Sequence, residues 1–334
     1  MDLNTLWFIL VGVLFAGFFF LEGFDYGVGT LLPFLGKKDV ERRLLIHSIG
    51  PFWDGNEVWM ITAGGAIFAA FPIWYSTLFS GFYLALFLLL LALIFRGVGF
   101  EFRSKDDNPL WRKSWDMGIW FGSFLPAILW GVAVANLLKG VPIDQNLQFV
   151  GDFGSLFSPY TVVSGIAFLA LFAFHGALFL TLRLEGELLE KAKRITKPLG
   201  FAALVAVVAM AVLIAVETDL FTKGISVAIL AVSALALIGA VFFTLKKNFK
   251  FAFISTAATI ITCTAAVFTA LYPRVMVSSL NPDWSLTIYN ASATTNSLQV
   301  MTIVAVCLVP VILIYQAWSY HIFRKRINEK NLEY

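Results

Sequence analysis

The sequence predicts an all-α integral membrane protein with nine transmembrane helices. Of its 334 residues 59% are hydrophobic and only 13% are charged, against about 25% charged in soluble domains, and the mean hydropathy is +0.83. Apolar runs such as Leu84 to Ile94 and Phe201 to Val216 offer no polar stripe to water and suit a bilayer span of roughly 20 residues. Soluble-enzyme readings fall away, and a net charge of +3 gives no reason to expect a nucleic-acid partner.

Segmenting at charges, Pro and Gly places the helices at 6–34, 52–72, 76–99, 116–138, 160–183, 198–216, 224–245, 251–273 and 296–323. The first run begins at Leu6 with almost no basic residue before it, and it is too long and aromatic for a cleavable signal, so it reads as the first span. Pro51, Pro159 and Pro198 fall at expected helix starts and Pro33, Pro72 and Pro273 near expected ends. Pro126 and Pro310 fall inside spans, as kink positions whose freed carbonyls neighbouring helices can satisfy.

Basic residues fix the expected orientation. Lys37, Lys38, Arg42 and Arg43 follow the first helix, Arg96 to Lys113 hold the cluster after the third, and Arg183 to Lys197 the cluster after the fifth. Lys246, Lys247 and Lys250 follow the seventh, and Arg324, Lys325, Arg326 and Lys330 the ninth, while the opposite side keeps only Lys139, Lys223 and Arg274. The positive-inside rule then puts the N-terminus outside and the C-terminus in the cytoplasm. The expected outer loops, 139–158 and 274–295, are long enough to fold over that face, and Asn281-Pro282-Asp283-Trp284 reads as a turn. The whole chain, 1–334, reads as one membrane domain: two four-helix bundles, 1–138 and 159–273, and a ninth, peripheral helix at 296–326.

Acids inside apolar segments need a reason. Glu22 and Asp25 lie three apart in the first helix, and Asp54 and Glu57 three apart at the start of the second, so each pair shares a helical face. Ionisable groups at membrane depth face a bundle interior or a water path, which makes all four candidates for a proton route from the cytoplasm. The plainer reading of Asp54 and Glu57 is attraction to the positive end of their helix beside the Lys37 to Arg43 cluster. Arg96 is either the counter-ion of one of these acids or a snorkelling surface charge, Arg103 reads as snorkelling, and Asp116 as a first-turn charge near the interface.

Histidine is scarce. His47 lies in an inner loop and His321 at the inner end of the ninth helix, leaving only His175 at membrane depth, so no pair of axial histidines for a haem is present in the membrane core. His175 reads as a structural residue bonded to a neighbour. Cys263 and Cys307 stand alone inside apolar segments, with neither disulfide nor metal-site spacing. The Gly pairs around Gly27 and Gly64 suit close helix packing rather than phosphate binding.

Three stretches, Leu21-Glu22-Gly23-Phe24-Asp25-Tyr26-Gly27-Val28-Gly29, Pro51-Phe52-Trp53-Asp54-Gly55-Asn56-Glu57-Val58-Trp59 and Ala63-Gly64-Gly65-Ala66-Ile67-Phe68, resemble subunit II of the cytochrome bd quinol oxidases. The likeness continues through Phe95-Arg96-Gly97-Val98-Gly99-Phe100, Asn136-Leu137-Leu138-Lys139-Gly140-Val141-Pro142 and Tyr272-Pro273-Arg274-Val275-Met276, and is loose from the fifth to the seventh helix. It implies a respiratory complex of a prokaryotic plasma membrane that oxidises quinol and reduces dioxygen to water. In that family haem b and haem d belong to subunit I, so this chain is expected to bind no cofactor or metal and to carry no catalytic residue of its own. The resemblance also implies a cytoplasmic proton route, with the Trp-Asp-Gly-Asn aspartate at Asp54 and the Gly-Phe-Asp aspartate at Asp25; Glu57 and Glu22 join the candidates as acids within apolar segments. Partners implied are subunit I, the quinol pool and membrane lipids, with a small third subunit as an option. The competing class is a stand-alone proton- or cation-coupled transporter, which intramembrane acids and a Gly-interrupted first helix would also suit.

Overall fold

The computed structural model describes residues 2–332; Met1, Glu333 and Tyr334 lie outside the described residues. It is all-helical apart from one small hairpin. In chain order the helices are α1 (Leu3–Leu35), α2 (Asp39–Ile49), α3 (Trp53–Ala70), α4 (Pro72–Gly81), α5 (Tyr83–Phe102), α6 (Pro109–Lys139), α7 (Pro159–Arg183), α8 (Gly186–Glu217), α9 (Gly224–Leu245), α10 (Phe249–Leu271) and α11 (Thr295–Ile322). Eight of them, all except α2, α3 and α4, are long and apolar enough to cross a membrane.

Three expected boundaries are corrected. The helix expected at 76–99 is α4 followed by α5. Pro72 has no N–H to continue α3 and takes the first position of α4, while Phe82, with φ −100° and ψ 17°, separates α4 from α5. The helix expected at 198–216 starts at Gly186, because its charged first turns are helical too and Pro198 lies inside it. The helix expected from Asp116 starts at Pro109, where the Asn108 side chain accepts from the Leu110 N–H. Asp116 therefore sits two turns inside α6 and is buried.

At the centre is α1, packed against α3, α6, α7 and α10. Its glycines allow the close approach. A Cβ on Gly27 would run into the Phe172 carbonyl of α7, and one on Gly29 into the Ser123 side chain of α6. With that side of α1 filled by backbone and small groups, Glu22 and Asp25 turn toward α3 and α5.

The two ends of the molecule are closed differently. At the end without basic clusters, β1 (Arg274–Met276) pairs antiparallel with β2 (Leu286–Thr287). Ser279 N–H donates to the Val141 carbonyl at 2.9 Å, and Asn4 donates to the Ile288 carbonyl at 2.8 Å, so both long loops and the start of α1 form one cap. At the basic end Arg103 donates to Asp116 (2.5 Å) and Asp39 (2.8 Å), and Arg42 reaches the same Asp116 at 2.7 Å. Arg103 is 1% exposed, so the expected snorkelling is corrected: two carboxylates hold it inside. Arg183 donates to the carbonyls of Phe323 and Lys325, and Ile327 N–H returns a bond to the Arg183 carbonyl at 2.8 Å. The segment after α11 is thereby fastened beneath α7. Along the rest of its length α11 is exposed, with only Leu298 buried.

Candidate functional site

Four charged side chains from three helices converge near the basic end. Glu22 and Asp25 of α1 and Arg96 of α5 are fully buried. Arg96 is placed by its neighbours: Gly122 of α6 lies so close that a Cβ there would come within 2.5 Å of the Arg96 Cβ. Its Nη2 pairs with Glu22 Oε1 and lies 3.2 Å from Glu57 Oε1 on α3. The guanidinium carbon sits 4.8 Å from the centre of the Tyr26 ring and 5.8 Å from that of Phe100, so aromatic faces cover the cation where no carboxylate does. Arg96 is thus a counter-ion, one of the two readings its sequence position allowed.

Asp25 is approached from the other direction. Asn56 donates to Asp25 Oδ2 at 2.7 Å, and the Asn56 carbonyl oxygen accepts from the Tyr320 hydroxyl at 2.8 Å and from Gln316 Nε2 at 3.4 Å. Gln316 Oε1 accepts in turn from the Trp59 indole N–H at 2.9 Å. The second oxygen of Asp25, Oδ1, is buried and has no hydrogen-bond partner.

Two carboxylates, Glu22 and Glu57, therefore share the guanidinium of Arg96, and a third, Asp25, three residues along α1 from Glu22, is buried and bonded to Asn56. Fully ionised, the group would carry more negative charge than one cation offsets, in a place where an uncompensated charge costs several kcal/mol. Binding protons discharges it.

The structure assembles three of the four proton-route candidates and leaves one apart. Asp54, in the first turn of α3, is exposed and lies outside the hydrogen-bonded cluster. Glu57, one turn further on, is the partly exposed member, its side chain 17% accessible. Asn56, Tyr320 and Gln316 were not singled out from sequence. Asn56 stood in the Trp-Asp-Gly-Asn stretch between two acids, and Gln316 and Tyr320 are one turn apart in an apolar helix, a spacing that could have marked a polar face.

His175 tests whether this chain fits a haem. Its Nε2 is 3.2 Å from the Phe20 carbonyl, which only accepts, so that nitrogen carries the proton, and its Nδ1 is 2.7 Å from the Thr256 hydroxyl. The ring stacks on Phe253 at 4.5 Å and 4°. Both nitrogens are occupied and α1, α7 and α10 are pinned together, so His175 does not fit an axial ligand. Among the described residues no group of three or more His, Cys, Asp or Glu side chains could hold a metal ion. A separate cavity of about 870 Å³, lined by Phe15, Phe82, Trp130, Tyr160 and Met210 among others, has no charged side chain in its wall.

Comparison with known proteins bears on the whole chain. The family model described as cytochrome bd terminal oxidase subunit II matches residues 3–323, which takes in every member of the cluster from Glu22 to Tyr320. The chain belongs to the cytochrome bd terminal oxidase subunit II family. It is 44% identical over 331 residues to the cytochrome bd ubiquinol oxidase subunit 2 of Bacillus subtilis (strain 168), covering 98% of each chain. It is 38% identical over 368 residues to the cytochrome bd-I ubiquinol oxidase subunit 2 of Escherichia coli (strain K12), covering 99% of this chain and 97% of that one. The fold is similar to a chain of the bd oxidase from Geobacillus thermodenitrificans, with a TM-score of 0.79 at 15% identity over 97% of this chain and 99% of the other. As a subunit II, the chain is a multi-pass protein of the bacterial plasma membrane and part of an oxidoreductase.

Proposed function

We propose that this subunit II is the haem-free half of a quinol oxidase that reduces dioxygen to water, and that it supplies assembly surface for subunit I together with part of the proton supply. The observation that carries the proton role is that Glu22 and Asp25 are fully buried on α1, beside an Arg96 that pairs with both Glu22 and the partly exposed Glu57. Asp54, exposed at the start of α3, collects protons near the cytoplasmic surface. Glu57 is the partly accessible step, and Glu22 and Asp25 pass protons inward toward the partner subunit. Redox chemistry belongs to haem b and haem d on subunit I, in keeping with the engaged state of His175.

This reading takes nine membrane crossings, the second of them α3, whose polar first turns leave it less apolar than the other eight. The N-terminus is outside and the C-terminus cytoplasmic, and residues 1–138 and 159–273 form two four-helix units with α11 beside them. Subunit I and the quinol pool are the working partners, with lipids around the complex and a small third subunit as a further component. The stand-alone transporter reading is set aside, because similarity to oxidase subunits runs the length of the chain.

The test is the complex purified with Asp25→Asn or Asp54→Asn. Co-isolation of a haem-bearing partner with reduced oxygen consumption and reduced charge translocation supports the proposal. Wild-type values for both variants would refute the proton roles.

A further inference from the structure

The hydrogen bonds behind Asp25 have a direction. An indole N–H can only donate, so Trp59 fixes Gln316 with its oxygen toward Trp59 and its NH2 toward Asn56. Asn56 then presents its oxygen to Gln316 and Tyr320 and its NH2 to Asp25. Asp25 Oδ2 therefore always meets a donor, which favours it as the carbonyl-like oxygen of the protonated carboxyl. The proton of this carboxyl belongs on Oδ1, the buried oxygen without a partner.

We propose that Trp59, Gln316, Asn56 and Tyr320 are positioning residues that make Oδ1 the proton-exchanging oxygen of Asp25, which turns α11 from a peripheral helix into a working part of the proton site. The proposal rests on the proton role given to Asp25 above.

Two further features support it. On a helix that is mostly exposed, Gln316 and Tyr320 face inward to α3, and a further polar contact of α11 with a span is made at its other end, where the Trp7 indole N–H donates to the Leu298 carbonyl and the Thr302 hydroxyl. Tyr320 is also braced: its ring stacks on Phe52 at 4.4 Å and 10°, and the Arg183 guanidinium lies 5.4 Å from the centre of that Phe52 ring. Arg183 holds the chain just past α11, so the segment that closes the basic end also fixes Tyr320 in register. The titratable and charged groups facing Asp25 are Glu22 on α1, Glu57 on α3, Arg96 on α5 and Tyr320 on α11. From α6 and α7 the neighbouring contacts to this part of α1 are Ser123, Phe172, Gly176 and His175, of which only His175 titrates, its ring beside Phe24 and its Nε2 on the Phe20 carbonyl.

The experiment uses the whole oxidase complex with Asn56→Ser, and with Tyr320→Phe as a second variant that keeps the ring on Phe52. Readouts are haem content, the pH profile of oxygen consumption and the carboxyl C=O stretch in redox-difference infrared spectra, assigned with Asp25→Asn. The expected result is wild-type haem content, a displaced pH profile, a displaced C=O band and turnover lowered by up to about 10²-fold, the scale of a misplaced reacting group. Superimposable profiles and bands in whichever of the two variants assembles would overturn the inference. Asp25→Asn separates the two levels. If it alone is impaired, the positioning inference fails, and if it too behaves as wild type, the proton role of Asp25 fails with it.

Discussion

Arg96 on α5 pairs with Glu22 on α1, and neither side chain reaches solvent. The pair joins two spans through charges that each need the other, since either alone would be an uncompensated ion at membrane depth. Arg96→Met should lower the thermal midpoint of the purified complex by the equivalent of about 3–5 kcal/mol, the usual cost of breaking a buried pair. Arg96→Met combined with Glu22→Gln should recover a large part of that loss. A double variant no more stable than Arg96→Met would contradict the pairing.

The α1–α7 contact allows no side chain at Gly27. Gly27→Val should force the helices apart and displace Glu22 and Asp25 with them, costing about 1–3 kcal/mol or more by overpacking. The readout is the yield and thermal midpoint of the complex. Gly64→Ala serves as the control, because a Cβ at Gly64 meets nothing within 4 Å.

Asp116 receives both Arg42 and Arg103. Asp116→Asn leaves Arg103 buried with Asp39 alone and should cost about 3 kcal/mol. Asp107→Asn should be near neutral, since the Asp107 side chain is 99% accessible although it pairs with Arg112. Thermal midpoints of the two variants side by side decide it.

Glu41 on α2 gives a pH-dependent term outside the spans. Burial pushes its carboxyl up, but Lys191 and the N–H groups of Lys38 and Lys37 outweigh burial and hold it below the ordinary carboxylate value. A carboxyl depressed in the folded state adds stability that is complete above its unfolded value and is lost as pH falls through the folded value. Thermal midpoints of wild type should therefore fall on acidification more steeply than those of Glu41→Gln. Parallel acid limbs would show that Glu41 contributes nothing.

Much of this was legible in the sequence, for reasons particular residues make plain. Uninterrupted apolar runs gave the spans, and Glu22, Asp25, Asp54 and Glu57 stood out because acids are costly in such runs. Helical spacing says which residues share a face but not what that face meets. Glu57 joined Arg96 while Asp54, one turn away, stayed outside, and sequence spacing alone could not separate them. Asn56 and Tyr320 are 264 residues apart and uncharged, so nothing short of the folded chain joins them. The boundaries missed at Gly186 and Pro109 share one cause: segmentation cut at charges, and both helices continue through charged turns beyond the apolar stretch.

Carrying protons into the oxidase is the role proposed for the buried carboxylates. Proton uptake from the cytoplasmic side during a single turnover of liposome-reconstituted complex tests it directly, with Glu22→Gln and Asp25→Asn compared against wild type at equal haem content. Uptake slowed by about 10²-fold in both variants is expected, the scale of losing a positioned proton-transfer group. Uptake at the wild-type rate in both variants would contradict it.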